Sequence, residues 1–253
     1  MLNILLSGCH GRLGQAIARV ISARADMRVA IGVDPANAEA NFEVVAKLSA
    51  VSADVDVVID CSHPNNLDAV LAYAEKNNLP ALLATTGYDD AAMVKIVEVS
   101  RKIPIFQTAN LSVGANLLMD LAARAAAILG EEFDIEIVER HHRDKLDAPS
   151  GTAIEVYSRV NETEKYKPVY DRSQVRKPRD NNEIGIHAVR GGSIIGDHDV
   201  IFAGNDEVFE IRHNAISRDI FAAGAARAVC FISRQQPGQY GMQDLIQAAY
   251  CIE

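Results

Sequence analysis

The first hundred residues alternate short apolar runs with segments of helical periodicity, and this alternation limits the possible folds more than any other feature. Five apolar runs have the length of a strand: residues 2–6, 27–33, 55–60, 81–84 and 103–106. Three segments between them have the apolar spacing of a helix: residues 13–21, 65–77 and 91–100. Because strands that alternate with helices form parallel sheets with right-handed crossovers, we predict an α/β domain built on a parallel sheet.

The pattern changes after residue 110. Helices are predicted over residues 113–129 and 150–160, and strands in "FDIEIVERH", "GIHAVRGG", "HDVIFAG" and "EVFEIRHN". These strands predict a second, more antiparallel sheet. The polar segment 162–183 is expected to be a long mobile loop. Helices at residues 219–233 and 244–250 close the chain, so we expect one domain from residues 1–110 with 219–253 and another from residues 111–218.

Composition excludes several classes of protein. The 253 residues are 49% hydrophobic, which is enough for a full core, and the net charge of −9 argues against a nucleic-acid partner. The four cysteines are far apart in the sequence, which predicts neither disulfides nor a zinc site and favours a reducing cytoplasm. The amino-terminal sequence does not resemble a signal peptide, and no apolar run is long enough to span a bilayer, so no membrane partner is expected.

The segment "GCHGRLG" follows the first predicted strand and opens the first predicted helix. A phosphate at a helix start meets exposed N–H groups and the positive end of the helix dipole, and glycine lets the backbone come close to it. The spacing Gly8-x-x-Gly11-x-x-Gly14 differs from the strict G-x-G-x-x-G fingerprint, so an ordinary glycine-rich turn is the alternative. We predict that a dinucleotide cofactor binds at six residues of this segment: Gly8, Cys9, His10, Gly11, Arg12 and Leu13.

Asp34 ends the second predicted strand, about 20 residues after the glycine loop, where an acid accepts hydrogen bonds from the ribose hydroxyls of NAD. The same carboxylate would repel the extra phosphate of NADP, and no Lys or Arg lies between Asp34 and Phe42 to attract it. NADH is therefore the expected cofactor, with NADPH as the alternative. A plain turn residue before Pro35 is the other interpretation of Asp34.

Two further segments follow the fourth and fifth predicted strands, "ATTGY" and "TANLSVG". A cofactor lies at the carboxyl ends of the strands in sheets of this kind. We predict that seven residues there contact the nicotinamide and its ribose: Ala84, Thr85, Thr86, Thr108, Ala109, Asn110 and Leu111. Each segment taken alone could equally be an ordinary turn.

The segment "ERHHRDKLDAPSGTA", residues 139–153, resembles the signature of the 4-hydroxy-tetrahydrodipicolinate reductase family of bacterial lysine biosynthesis. Every fixed position of the pattern E-x-H-H-x-x-K-x-D-A-P-S-G-T-A is present, and "DCSHP" and "RGGSIIGDHDVIFAG" fall in the family's order. The resemblance implies a Rossmann-type nucleotide-binding domain and a smaller α+β domain that binds substrate and assembles a homotetramer. The implied substrate is a small cyclic dicarboxylate with a conjugated imine, bound in a cleft between the domains.

The resemblance also implies the roles of individual residues. His141 is the expected proton donor, and Lys145 donates a proton or stabilises the developing charge. His142 would contact one substrate carboxylate. Three residues at the predicted start of a helix would bind the other carboxylate: Ser150, Gly151 and Thr152. An imidazole suits proton donation because it titrates near neutrality.

Several alternatives stay open at this point. "HHRD" could belong to a metal site, which we discount because no second cluster has the spacing of metal ligands. Another two-domain NAD-dependent dehydrogenase, or a regulatory protein that senses NAD without turnover, would share the glycine loop and Asp34. Three positions depart from the family's usual residues near the nicotinamide: Cys61 in place of an aromatic, Ala84 in place of glycine and Leu111 in place of phenylalanine.

Overall fold

The computed structural model describes residues 1–36, 38–173 and 175–250. The chain folds into two compact units. The first comprises Met1–Val113 and Asp219–Glu253, and the second comprises Gly114–Arg218.

The first unit is built on a parallel sheet. Its described strands are β1 (Leu2–Ser7), β2 (Met27–Val33), β3 (Val44–Val45), β4 (Val57–Asp60), β5 (Ala81–Leu83), β6 (Pro104–Gln107) and, near the carboxyl terminus, β12 (Gly238–Tyr240). They pair in the order β12-β6-β5-β4-β1-β2-β3, and every pairing is parallel. Its helices are α1 (Arg12–Ser22), α2 (Leu67–Lys76), α3 (Asp90–Ser100), α6 (Asp219–Ile232) and α7 (Met242–Tyr250).

Alternate residues of the central strands point to two separate cores, as the period of two along a strand requires. Ile4 and Leu6 pack with α1 and α6 on one face, whereas Leu5 packs with α2 and α3 on the other. Because both faces are covered, these strands are apolar throughout rather than alternating, which is why the sequence shows them as continuous apolar runs. A parallel sheet between two helical layers is the Rossmann-type arrangement, and the predicted fold class is confirmed.

The second unit contains a mixed sheet covered on one face by two helices. Its strands are β7 (Asp134–His141), β8 (Lys167–Val169), β9 (Glu183–Arg190), β10 (Gly196–Ala203) and β11 (Val208–Ala215), in the order β11-β10-β7-β9-β8. β10 is antiparallel to β7 and β11, whereas β9 is parallel to β7 and β8. Its helices are α4 (Val113–Leu129), which begins at the last residue of the first unit's amino-terminal segment, and α5 (Gly151–Val160).

The segment 162–183, predicted as one long mobile loop, contains a strand, so the prediction of an uninterrupted loop is wrong. β8 lies within this segment and pairs with β9 from Lys167 to Val169. The side chain of Asn161 also fixes the start of the segment, because its Oδ1 accepts from the backbone N–H of Tyr166 at 2.9 Å. Near the other end Arg179 forms an ion pair with Asp134.

One segment, Val113–Glu132, has the length and composition of a membrane span, contrary to the expectation that no apolar run is long enough. It comprises α4 and a following turn of 3-10 helix, and 33% of its most apolar window is buried. Five of its residues belong to the core of the second unit: Ala115, Leu118, Met119, Ala122 and Ala125. Since this helix forms one side of a folded core, its length and composition do not mark it as a membrane span.

Candidate functional site

The glycine loop between β1 and α1 leaves no room for side chains at two of its glycines. Gly8 has a φ of +79°, and a Cβ there would lie 2.8 Å from the carbonyl oxygen of Cys61. A Cβ at Gly14 would lie 2.2 Å from the carbonyl oxygen of Gly8. The loop therefore packs backbone against backbone, as a tight strand-to-helix turn in a dinucleotide fold requires.

The start of α1 fits a phosphate group. Gly11 is the N-cap residue and forms no side-chain cap hydrogen bond, so no side chain of the cap competes for the first N–H groups of the helix. Arg12, the first helical residue, is exposed, and Gly11 is exposed as well. Backbone N–H groups at the positive end of a helix, reached without steric hindrance, are the donors that a pyrophosphate needs.

Asp34 lies beside this loop. Its Oδ2 accepts from the backbone N–H of His10 at 3.1 Å, and its Oδ1 accepts from that of Ala36 at 2.9 Å. Since each carboxylate oxygen has two lone pairs, both oxygens can still accept a further hydrogen bond. The geometry therefore brings Asp34 next to the glycine loop, whose residues are predicted to bind the same cofactor.

Asp60 connects three segments at the carboxyl end of the sheet and was not among the predicted site residues. Its side chain is fully buried and accepts hydrogen bonds from three hydroxyls: Ser7 at 2.8 Å, Ser62 at 2.6 Å and Thr85 at 2.8 Å. Of the predicted cofactor residues, Thr85 is thereby fixed toward Asp60, whereas its neighbour Thr86 is exposed. A buried carboxylate without such donors would be costly, so these bonds hold the ends of β1, β4 and β5 together.

Thr108 and Asn110 form a small turn after β6. The Thr108 hydroxyl donates to the carbonyl of Asn110 at 3.0 Å, and the Asn110 Oδ1 accepts from the backbone N–H of Ser112 at 2.9 Å. Ala109 at the tip is exposed, whereas Leu111 is buried in the core shared with α1 and α6. Leu111 thus contributes mainly packing in the described structure.

His141 ends β7 in a buried polar cluster. Its Nδ1 lies 2.7 Å from Oε2 of Glu139, whose carboxylate is fully buried. Arg190 from β9 binds both oxygens of Glu139, at 2.7 Å each. The ring of His141 also meets that of His198 edge to face, with centroids 5.3 Å apart. The alternation of β7 brings Glu139 and His141 to the same face of the sheet.

Burial and neighbouring charges set the ionisation of this cluster. Burial lowers the pKa of His141, while the hydrogen bond and charge of Glu139 raise it and the charges of Lys145 and Arg190 lower it. Burial raises the pKa of Glu139, but hydrogen bonds from Arg190, His141 and Ser150 together bring it below its ordinary value. Burial also lowers the pKa of His198 to about 4. The cluster therefore contains an ionised carboxylate beside imidazoles that favour the neutral form.

The connection between β7 and α5 carries the remaining predicted residues. Lys145 forms an ion pair with Asp147 at 2.8 Å, so the carboxylate of Asp147 orients the ammonium group. His142 directly follows β7, is partly exposed, and accepts from the backbone N–H of Lys145 through its carbonyl at 3.2 Å. His141 and Lys145 thus lie on one short connection of the same unit.

Ser150 is the N-cap of α5, and its backbone N–H and its hydroxyl already have partners within the protein. The backbone N–H donates to Oε1 of Glu139 at 3.0 Å. The Oγ accepts from the backbone N–H of Ala153 at 3.2 Å and lies 3.1 Å from Nε2 of His198. Gly151 and Thr152 form the first turn of the helix behind it. Ser150 therefore joins the helix start to the His141 cluster.

Glu139, Arg190 and His198 were not predicted, although all three lie in the segments that carry the resemblance. Arg190 and Glu139 are 51 residues apart, and His198 and Ser150 are 48 apart. Nothing local in the sequence pairs residues at such separations. The sequence did offer one sign of these residues, since each is a charged or titratable residue within a predicted strand that is otherwise largely apolar.

Two family profiles together cover nearly all of the chain. Dihydrodipicolinate reductase, N-terminus, matches residues 2–111, and Dihydrodipicolinate reductase, C-terminus, matches residues 114–246. The 4-hydroxy-tetrahydrodipicolinate reductase of Caldanaerobacter subterraneus subsp. tengcongensis is 43% identical over 249 residues, which are 98% of this chain and 99% of that protein. The protein of the same name from Clostridium novyi is 40% identical over 250 residues, with 98% and 99% coverage.

Solved structures share the fold. The dipicolinate-bound dihydrodipicolinate reductase from Paenisporosarcina sp. TG-14 superposes with a TM-score of 0.82 at 24% identity, covering 96% of this chain and 99% of that one. A probable dehydrogenase from Thermotoga maritima has a TM-score of 0.61 at 11% identity, with 98% and 93% coverage.

The Rossmann-type sheet with its glycine loop, joined to a separate α+β unit, defines a two-domain oxidoreductase that uses a nicotinamide cofactor. Within that class, the two profile matches and the full-length relatives are decisive. The chain belongs to the dihydrodipicolinate reductase family.

Proposed function

We propose that this chain reduces 4-hydroxy-tetrahydrodipicolinate to tetrahydrodipicolinate with hydride from NAD(P)H, in the biosynthesis of diaminopimelate and lysine. The observation that carries this proposal is the connection from β7 to α5 in a member of this family, where His141, Lys145 and the start of α5 lie within about a dozen residues. A proton donor, an ammonium and a helix amino terminus are the groups that a dianionic substrate needs for reduction.

His141 is the proposed proton donor. When bound, a reduced nicotinamide would supply hydride to the ring carbon of the conjugated imine that forms as the 4-hydroxyl group leaves as water, and the negative charge left on the conjugated system would then take up a proton. His141 can give that proton from its imidazolium form, with Glu139 behind it at 2.7 Å to compensate the charge. Lys145 stabilises the developing negative charge as an ammonium.

Two groups are proposed to bind the substrate carboxylates. His142 contacts one of them from the exposed side of the connection. The other lies at the start of α5, where Gly151 and Thr152 present the first turn of the helix and its positive dipole end. Ser150 belongs to the same subsite, and its bonds to Glu139 and His198 tie that subsite to the proton donor.

The proposed cofactor is NADH in preference to NADPH. Asp34 is already held beside the glycine loop by two backbone N–H groups, so its carboxylate is oriented to accept from the ribose hydroxyls. The remaining predicted contacts stay as proposed, with the pyrophosphate at residues 8–13 and the nicotinamide near residues 84–86 and 108–111.

The proposed assembly is a homotetramer in the cytoplasm, formed through the sheet of the second unit. The helices α4 and α5 cover one face of that sheet, and Val138 and Ile201 lie on its other face, where neither helix covers them. Ion pairs cross the same face, with Asp199 bound by Arg140 at 2.7 Å and by Arg212 at 2.8 Å. A face with both apolar residues and satisfied charges suits contact with an identical copy.

A coupled assay tests the reaction. The substrate is generated in the cuvette as the product of an aldol condensation, and the absorbance of the reduced cofactor is followed. We expect cofactor oxidation that depends on both the condensing enzyme and this protein. Absence of oxidation with fresh substrate, together with turnover of another semialdehyde or a sugar in a substrate panel, would assign the chain to a different dehydrogenase activity.

A further inference from the structure

Glu139 is the most enclosed charged residue of the second unit. Its side chain is fully buried, and its close polar neighbours are all hydrogen-bond donors or an imidazole nitrogen. Arg190 binds both oxygens, the backbone N–H of Ser150 donates to Oε1, and Nδ1 of His141 lies 2.7 Å from Oε2. Because Arg190 holds the carboxylate ionised, Glu139 accepts from His141 rather than donating to it.

This contact fixes which nitrogen of His141 faces the reaction. An ionised carboxylate can only accept, so Nδ1 of His141 carries a proton directed at Glu139, and Nε2 is the nitrogen that can exchange one. Gly196 at the start of β10 borders Nε2, since a Cβ at that position would lie 3.0 Å from it. The absence of a side chain at Gly196 therefore keeps Nε2 uncovered on that side.

We propose that Glu139 is a positioning residue for proton donation, which sets the tautomer and orientation of His141 and stabilises its imidazolium form, while Arg190 keeps Glu139 ionised. This inference rests on the proposed role of His141 as the acid. It adds two residues, from β7 and β9, that touch neither substrate nor cofactor in the proposed mechanism.

The charged groups around His141 act in opposite directions. Glu139 favours the imidazolium, whereas Lys145 and Arg190 disfavour it. A proton donor must be protonated before the chemical step, so kcat falls as the pH rises through the pKa of His141. Removing Glu139 should therefore move this descending limb of the pH profile to lower pH. Removing the Arg190 cation should move it to higher pH, because the Glu139–His141 pair then binds its shared proton more tightly, and should lower kcat on the plateau, because that proton can then rest on Glu139.

The experiment compares Glu139→Gln and Arg190→Gln with the wild-type protein in the coupled assay, from pH 5.5 to pH 9. We expect Glu139→Gln to lower kcat about 10-fold or more, because general acid catalysis contributes ~10²–10⁴-fold in total. Its descending limb should shift to lower pH, and that of Arg190→Gln to higher pH. If these residues served folding alone, the substitutions would lower kcat without shifting the descending limb of the pH profile. The limb would then not shift in opposite directions in the two variants.

The chain offers a matched control on the same strand. Glu136 pairs with Nε2 of His187 at the same distance of 2.7 Å, but on the opposite face of the sheet. In Glu136→Gln the descending limb of the pH profile should lie at the same pH as in the wild-type protein. NMR titration of the His141 ring in each variant reads the same pKa change without any turnover.

The outcomes separate this inference from the proposed function. If His141→Ala retains wild-type kcat, His141 is not the acid and the proposed mechanism fails at that step. A second outcome is that His141→Ala is inactive, but neither Gln variant shifts the descending limb of the pH profile or the pKa of His141 measured by NMR. The positioning role of Glu139 is then refuted, and the proposed mechanism stands. If Glu139→Gln does not fold, Arg190→Gln decides alone through its plateau kcat, which falls if Arg190 keeps Glu139 ionised and stays at the wild-type level if the proposal is wrong.

Discussion

His141 and Lys145 contribute different chemistry although they are four residues apart on one connection. His141 is buried and backed by a carboxylate, whereas Lys145 is partly exposed and paired with Asp147. Burial lowers the pKa of His141 while the adjacent carboxylate of Glu139 raises it, so Glu139 stabilises the imidazolium form. Lys145 instead places an ammonium group on the connection. The two residues therefore suit proton donation and charge stabilisation respectively.

Alanine substitution tests these roles. We expect His141→Ala and Lys145→Ala each to lower kcat by ~10²-fold or more, the usual scale of general acid–base catalysis. Arg143→Ala is the matched control, because Arg143 is an exposed cation on the same connection and should be dispensable for kcat. Near-normal turnover in both active-site variants of the coupled assay would remove these residues from the mechanism.

The proposed preference for NADH rests on the charge of Asp34. A carboxylate beside the ribose accepts from two hydroxyls of NADH but repels the phosphate of NADPH. We expect a higher kcat/KM for NADH in the wild-type protein, and a reduced preference in Asp34→Asn, measured with both cofactors under the same conditions. A large NADPH advantage in the wild-type protein would show that a basic group elsewhere binds the extra phosphate.

His198 links stability to pH. Its pKa is about 4 in the folded chain and close to its ordinary value of 6.5 once unfolded. Its Nδ1 is buried and has no hydrogen-bond partner among the described residues, so a second proton there would be unsatisfied. Because the unfolded chain binds that proton first, His198 should contribute its stabilisation above pH 6.5 and lose it as the pH falls toward 4, by roughly 3 kcal/mol in all.

Urea unfolding at pH 7, 6 and 5 measures this loss. We expect the free energy of unfolding to fall less steeply with pH in His198→Gln than in the wild-type protein. The same substitution at His63, which is exposed, controls for the removal of an imidazole. If the free energy of unfolding changes with pH equally in the wild-type protein and in His198→Gln, other groups cause the pH dependence.

At the scale of elements, sequence periodicity predicted the long helices and strands well. The bounds predicted for β2 and α4 are the observed ones, because an apolar run and a helical stripe are local signals. β3, β8 and β12 were missed, since strands of two or three residues carry no measurable period and form only by pairing with distant strands. The predicted site residues were found through local motifs, whereas Glu139 and Arg190 meet only through the β7–β9 pairing.

Helix α6 packs so closely on the chain before α4 that one of its residues must be glycine. A Cβ at Gly224 would lie 1.8 Å from the carbonyl oxygen of Leu111, which belongs to the backbone and cannot move aside as a side chain would. Leu111 also ends the segment proposed to contact the nicotinamide. The position of this helix and the shape of that segment are therefore coupled.

Gly224→Ala should lower the free energy of unfolding by about 1–3 kcal/mol or more, as overpacking does. Gly241→Ala is the control in the same unit, because its Cβ would meet the nearest backbone oxygen, that of Gln107, at an ordinary 3.6 Å. Thermal unfolding of both variants gives the comparison. Equal stability of Gly224→Ala and the wild-type protein would mean that α6 shifts without cost.

At the scale of the whole molecule, each unit has its own core. Two clusters lie on the two faces of the parallel sheet, and a third joins the mixed sheet to α4 and α5. The mixed sheet thus has helices on one face only, and an antiparallel arrangement permits its second face to meet either water or another subunit. The charged and apolar residues on that second face are what the proposed tetramer would bury.

Ile201→Arg tests this assembly. Ile201 lies on β10 with Glu136 and Glu210 as cross-strand neighbours, so an arginine there has two carboxylates beside it and the unit should still fold. At a subunit interface the same arginine would have to be desolvated, and its bulk would disturb the packing, so it should oppose assembly. We expect sedimentation velocity to give four times the 27.4 kDa chain mass for the wild-type protein and a smaller species for Ile201→Arg.

Val94→Arg, at an exposed apolar position of α3, should remain tetrameric. A monomeric wild-type protein at assay concentrations, or an Ile201→Arg variant that assembles normally, would contradict assembly through this face.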